Sequence, residues 1–103
     1  MSREIKEISI NEFENEFKTS EGKTVSIDVR GSISFLKIVN DFDIWQDENK
    51  IALCDCNDES EVGIQKQDIV CIVQDERISS IKTANIFLRN GLEINLQEDV
   101  DNE

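Results

Sequence analysis

A chain of 103 residues, 38% of them hydrophobic, carries enough apolar side chains for one compact domain and leaves no room for a second core. Its 23 acidic residues outnumber 11 basic ones, for a formal net charge of -12. That balance excludes a bare, sequence-independent nucleic-acid binder, because neutralising phosphates requires Lys and Arg. Histidine is absent, which removes the Ser–His and Cys–His nucleophile pairs, the histidine general base and the commonest zinc ligand.

The first seven residues are charged from Arg3 onward and hold no apolar core, so no secretory signal is expected. Apolar runs such as residues 69–73, the longest, and 86–88 fall far short of the ~20 residues of a membrane helix. Three cysteines, an odd count, fit reduced thiols and a cytoplasmic protein better than a secreted disulfide framework.

Fifteen isoleucines and seven valines dominate the apolar set, and β-branched side chains suit a pleated surface. One helix is expected near the start: Ile10, Phe13 and Phe17 recur at helical spacing, and Ser9 with Glu12 three residues on forms a capping box. Its expected extent is residues 10–18, lying across the sheet and broken by Ser20, Glu21 and Gly22. From Thr24 the period becomes two, Val25, Ile27 and Val29 alternating with Ser26, Asp28 and Arg30, as in a strand with one buried face. Gly31 suggests a bend before a second apolar set from Ile33 and Phe35 through Val39.

In the following run, Phe42, Ile44 and Gln46 share one side, while Asp41, Asp43, Trp45 and Asp47 share the other. A tight turn at Glu48 and Asn49 pairs this strand with residues 51–54, setting Ile44 opposite Leu53, Asp47 opposite Lys50 and Cys54 beside Asp43 on the acidic side. Residues 55–61 read as a polar loop, Val62 and Ile64 resume a short strand, and Lys66 and Gln67 turn the chain. Residues 69–73 are apolar on both faces, which marks the most central strand. For the last hairpin, a two-residue Asn90-Gly91 turn would mix apolar with polar residues. A three-residue loop, Arg89-Asn90-Gly91 with Gly91 left-handed, matches Leu88 with Leu92, Ile86 with Ile94 and Ala84 with Leu96.

The fold class expected is mainly β (α+β): a small antiparallel barrel or sandwich of about seven short strands with one N-terminal helix. Residues 1–96 form the single globular domain and residues 97–103 an acidic, frayed tail. The order of elements, a helix and then consecutive hairpins, is similar to that of Sm-like small barrels. The similarity is topological: no Sm sequence motif occurs here, and the negative charge departs from an RNA-binding ring.

The acidity is local. Residues 41–61 hold eight acids and only Lys50, a net -7, and residues 93–103 add -5, whereas residues 22–40 come to +2. A charge of this size can serve solubility alone. It can also mimic phosphates, since carboxylates projecting from adjacent strands would be drawn to a basic channel that normally holds nucleic acid. Trp45, the sole tryptophan, falls among the acids, an aromatic anchor in a charged rim; the alternative is an ordinary core residue covered by the helix or tail. The candidate partner-binding residues are Asp41, Asp43, Trp45, Asp47, Glu48, Asp55, Asp58, Glu59 and Glu61.

No cofactor or metal is expected. Cys54 and Cys56 are separated by one residue where structural zinc sites use two to four, and with Cys71 they make only three thiol ligands. A calcium loop starting at Asp55 would need glycine at Ser60 and glutamate at Lys66. The four glycines are isolated, so no phosphate loop exists, and no catalytic dyad stands out among so many carboxylates. The function expected is therefore a non-enzymatic inhibitor or regulator binding a basic protein, such as a nucleic-acid-binding nuclease, with no direct contact to nucleic acid or membrane. In size and charge the chain resembles small acidic antagonists of host defence nucleases, anti-CRISPR proteins among them. The alternative is an oligomerisation or scaffold module, a homo-oligomer or partner binder, that uses an exposed strand edge.

Overall fold

The computed structural model describes residues 5–75 and 82–98. Along the chain run β1 (Ile5–Ile8), α1 (Ile10–Lys18), β2 (Val25–Arg30), β3 (Phe35–Val39), β4 (Phe42–Gln46), β5 (Lys50–Asp55), β6 (Ser60–Gln65), a 3-10 turn (Lys66–Asp68), β7 (Ile69–Asp75), β8 (Thr83–Leu88) and β9 (Glu93–Glu98). The strands form two antiparallel sheets, one of six in the order β1-β7-β8-β9-β2-β3 and one of three in the order β4-β5-β6. The architecture is mainly β and sandwich-like. The barrel alternative gives way because the chain leaves the first sheet at residues 40–41: the Phe42 N–H donates to the Lys23 carbonyl (3.2 Å) and the Gly22 N–H to the Phe42 carbonyl (2.9 Å), so β4 starts against the helix–β2 link and not on β3.

Helix α1 has the expected bounds and cap. Ser9 Oγ accepts from the Glu12 N–H at 3.0 Å, and Glu12 Oε1 accepts from the Ser9 N–H at 2.8 Å, so two otherwise orphaned donors are satisfied reciprocally. Its apolar stripe buries Phe13 and Phe17 completely. The two rings lie 5.3 Å apart, and Phe17 meets the β4 residue Phe42 edge-on at 6.2 Å. These rings join Ile27, Ile44, Ile51, Leu53, Ile72, Ile86 and Leu96 in one core cluster between the sheets.

The helix is also fastened by polar contacts at both ends. Gln46 Nε2 donates to Asn11 Oδ1 and Glu14 Oε1 near its start. At its end, Lys82 Nζ donates to the Glu16 carbonyl at 2.7 Å and to the Thr19 hydroxyl, while lying 5.9 Å from the Phe17 ring centroid. Lys82 and Lys23 also face Glu98 at 3.9 and 3.3 Å, and the buried Ser20 hydroxyl donates to Glu98 at 3.0 Å.

The β8–β9 hairpin has the three-residue loop and register read from the sequence. Ile86 faces Ile94, Ala84 faces Leu96, the Leu88 N–H donates to the Leu92 carbonyl at 2.9 Å, and Gly91 has φ 90. Gly31 is likewise required by the backbone: its φ is 154, and a Cβ there would stand 2.5 Å from Leu92 Cδ2.

Four expectations need correction. Strand β1 was not foreseen, since Ile5 and Ile8 show no alternation and the strand depends on pairing with β7. That pairing makes β7 the second strand of its sheet, not the most central, and a register shift between Ile69 and Cys71 leaves Val70 exposed and Cys71 only half-buried. The 55–61 loop shrinks to residues 56–59, because Asp55 pairs with Ser60 and Cys54 with Glu61. The second apolar set, whose burial the sequence left open, lies mostly outside the core: of β3 only Val39 is buried. Strand β9 continues through Gln97 and Glu98, paired with Ser26 and Val25, so the tail cannot begin at Gln97; residues 99–103 lie outside those described. Among the described residues, no helix is long and apolar enough to cross a membrane.

Candidate functional site

The nine sequence-predicted residues fall on the three-stranded sheet and its two turns. Strand alternation sends Phe42 and Ile44 inward and leaves Asp43 and Trp45 outward on β4. Register then places Cys54 and Ala52 of β5 beside them, and Glu61 and Gly63 of β6 next in line. The outer face thus has an Asp43–Cys54–Glu61 row and a Trp45–Ala52–Gly63 row. In the second row Ala52 is fully buried beneath its neighbours, and the indole is 36% exposed. Lys50, the third outward residue of β5, lies 5.3 Å from the indole centroid and bonds Glu61 at 2.9 Å.

The remaining acids sit at opposite ends of the face. At one end Asp47 and the exposed Glu48 occupy the β4–β5 turn. Asp47 Oδ1 accepts from the Asn49 and Lys50 N–H groups at 2.8 and 2.9 Å, which closes the turn and holds its carboxyl below the ordinary range. At the other end stand Asp41, Asp58 and Glu59, with Glu59 left-handed at φ 60. Asp58 accepts from the Ser60 hydroxyl and N–H at 2.6 and 3.1 Å, which lowers its pKa. Asp55 does not belong to the surface: it is 6% exposed, opposite Phe42, and accepts from the Asn57 N–H at 3.0 Å to start the turn. Its role is local structure, and it leaves the candidate set.

The protein's own lysines neutralise part of the face. Lys18 of α1 reaches Asp43 at 3.6 Å, Lys37 of β3 reaches Asp58 at 3.6 Å, and Lys50 takes Glu61. These are solvent-screened surface pairs that contribute little to stability and are readily exchanged for another cation. The Asp43 carboxyl is held low first by a hydrogen bond with Glu21, then by the Ile44 N–H and the Lys18 charge. Among the described residues, Asp41, Glu48 and Glu59 make no ion pair. Seven outward carboxylates less the three paired lysines leave four net charges over roughly 25 Å of hairpin, one per ~6 Å, sparser than a single DNA strand.

Both thiols on this side are pushed up, Cys54 by burial and then by Glu61 and Asp43, Cys56 by desolvation and then by Asp41, Asp43 and Asp55. Such thiols are protonated at neutral pH and are poor nucleophiles. Among the described residues, no group of three or more Cys, Asp or Glu side chains could hold a metal ion. Comparison with known proteins gives no matching family model, no similar curated protein and no similar solved structure.

Sequence reasoning missed two of the three lysines that pair with the face, since only tertiary packing brings Lys18 and Lys37 near it. It also missed the apolar exposure of β3, where Ile33, Phe35, Leu36 and Ile38 are 67%, 47%, 62% and 52% exposed. A strand apolar on both faces can be central or an unpaired edge, and periodicity does not separate the two.

Proposed function

We propose that the protein is a non-enzymatic binding protein whose outer β4-β5-β6 face docks on a basic surface of another protein, one that otherwise holds nucleic acid, and thereby inhibits or regulates it. The single observation supporting this reading is that Trp45, about one-third exposed on the edge strand β4, shares one outward face with Asp43 and Glu61 and lies between acidic turns at the two ends of that face. The indole supplies an apolar anchor, which is the residue type that dominates binding energy at interface centres. Asp41, Asp43, Asp47, Glu48, Asp58, Glu59 and Glu61 supply the charge that accelerates encounter and fixes orientation. An antagonist of a defence nuclease, of the anti-CRISPR kind, is one form that this chemistry would take.

The test is capture from the native cell lysate on immobilised protein at low and high salt. Wild type is expected to retain a basic partner at low salt and release it as salt rises. Trp45→Ala, and separately the combination Asp41→Asn, Asp43→Asn, Glu48→Gln and Glu59→Gln, should lose that partner while keeping wild-type circular dichroism. Retention of the same partner by both folded variants would reject the face.

A further inference from the structure

We infer that the β3 edge is a self-association surface that joins two copies of this chain through antiparallel β3–β3 pairing. Strand β3 ends the six-stranded sheet, bonded to β2 on one side and, among the described residues, to no strand on the other. A free edge offers a row of unpaired N–H and C=O groups, which proteins commonly blunt with charge, proline or a bulge. Here the protection is thin. The strand reads Phe-Leu-Lys-Ile-Val, pairs with β2 without interruption, and has one charge, Lys37, already engaged by Asp58 of its own chain.

The outward side chains make the contrast sharper. On the neighbouring strands they are polar: Ser26, Asp28 and Arg30 on β2, then Glu93, Asn95 and Gln97 on β9. At the edge they become Leu36 and Ile38, paired across from Asp28 and Ser26. Solubility alone would put polar residues there, as it does two strands away.

The occupant is a second copy because the edge is self-complementary; the -12 charge of each copy opposes association, least so at this edge, where Lys37 is the one charged residue of the strand. The area is also sufficient. Ile33, Phe35, Leu36 and Ile38 expose roughly 400 Å² of apolar surface per copy, the size of a functional patch. Twice that, with the strand backbones and flanking residues, reaches the ~1,200 Å² at which stable interfaces begin. Antiparallel pairing about a twofold at Leu36 keeps each face in register, sets Leu36 against Leu36 of the second copy, and places Lys37 across from Phe35; centring on Lys37 would oppose like charges.

Sedimentation equilibrium on the full chain tests this, with salt as the discriminating variable. Wild type is expected to dimerise, and more tightly at 0.5 M than at 0.05 M salt, because screening relieves the repulsion while apolar contact is unaffected. Docking through the acidic face has the opposite salt dependence, so the two ideas fail separately. Leu36→Lys and, independently, Ile38→Lys alter exposed side chains and should weaken dimerisation at least ~100-fold with unchanged circular dichroism. Val70→Lys, at an exposed apolar residue on β7, should leave it intact. A wild type that stays monomeric at every salt concentration, a dimer that loosens with salt, or one unmoved by both edge variants would overturn the inference.

Discussion

Lys82→Met removes the clamp between the end of α1 and the end of β9 and gives a stability change that can be worked from contacts. The ammonium donates to the Glu16 carbonyl at 2.7 Å and to the Thr19 hydroxyl, so it satisfies groups at the helix C-terminus where a cation is also favoured by the helix dipole. Methionine keeps most of the apolar stem against Phe17 and loses only the charge and its donors. Glu98 is not orphaned, because Lys23 at 3.3 Å and the Ser20 hydroxyl at 3.0 Å remain. The Thr19 hydroxyl still donates to the Glu16 carbonyl at 2.8 Å, so neither group is orphaned, and the two lost hydrogen bonds with the terminal charge effect come to about 2 kcal/mol at this partly solvated site. For a domain of this size that lowers Tm by roughly 8–16 °C, measured by calorimetry or circular dichroism. Lys23→Met, at a side chain 58% exposed, should move Tm far less. Equal Tm values for wild type and Lys82→Met would refute the clamp.

Gly31→Ala should cost about 1–3 kcal/mol in a urea titration, because φ 154 disfavours a side chain and the new Cβ would press on Leu92; a neutral result would mean that this link relaxes freely. The cesium-to-iodide ratio of Trp45 quenching constants should exceed that of N-acetyltryptophanamide, with the excess fading at high salt; a ratio below that of the free indole would give the face a positive potential and contradict the charge placement. Asp47→Ala should lower Tm, and the gap from wild type follows from linkage: the folded carboxyl lies below its unfolded value, so its stabilisation is complete above about pH 5 and disappears as pH falls through the lowered pKa. A gap that persisted unchanged to pH 2 would show that the turn does not depend on the carboxylate. Cys56, though exposed, should react with a disulfide reagent at neutral pH more slowly than a free thiol, and faster in Asp41→Asn/Asp43→Asn.

What the sequence disclosed was local. The Ser9–Glu12 box delimits α1, and the two hairpins β4–β5 and β8–β9 have the registers that matching apolar residues demanded, because slipping by one residue would turn every core side chain outward. The outward position of Trp45 and Asp43 follows from the same alternation. Features set by non-local pairing stayed hidden. Strand β1 exists only through β7, Val70 is exposed by a register shift, and β3 is an edge because the chain turns away at residues 40–41. The burial of Asp55 was equally unreadable, since an aspartate at a strand end can serve its own turn or face outward, and the polar string around it masked the β5–β6 pairing.

The most direct measurement is an NMR titration of the 15N-labelled chain with a nona-arginine peptide, a generic stand-in for a basic surface. Shift changes confined to residues 41–48, Cys54, residues 58–61 and the Trp45 indole, and reversed by salt, are the expected result. Changes spread evenly over α1 and the six-stranded sheet, or an unmoved indole, would contradict a docking face centred on Trp45.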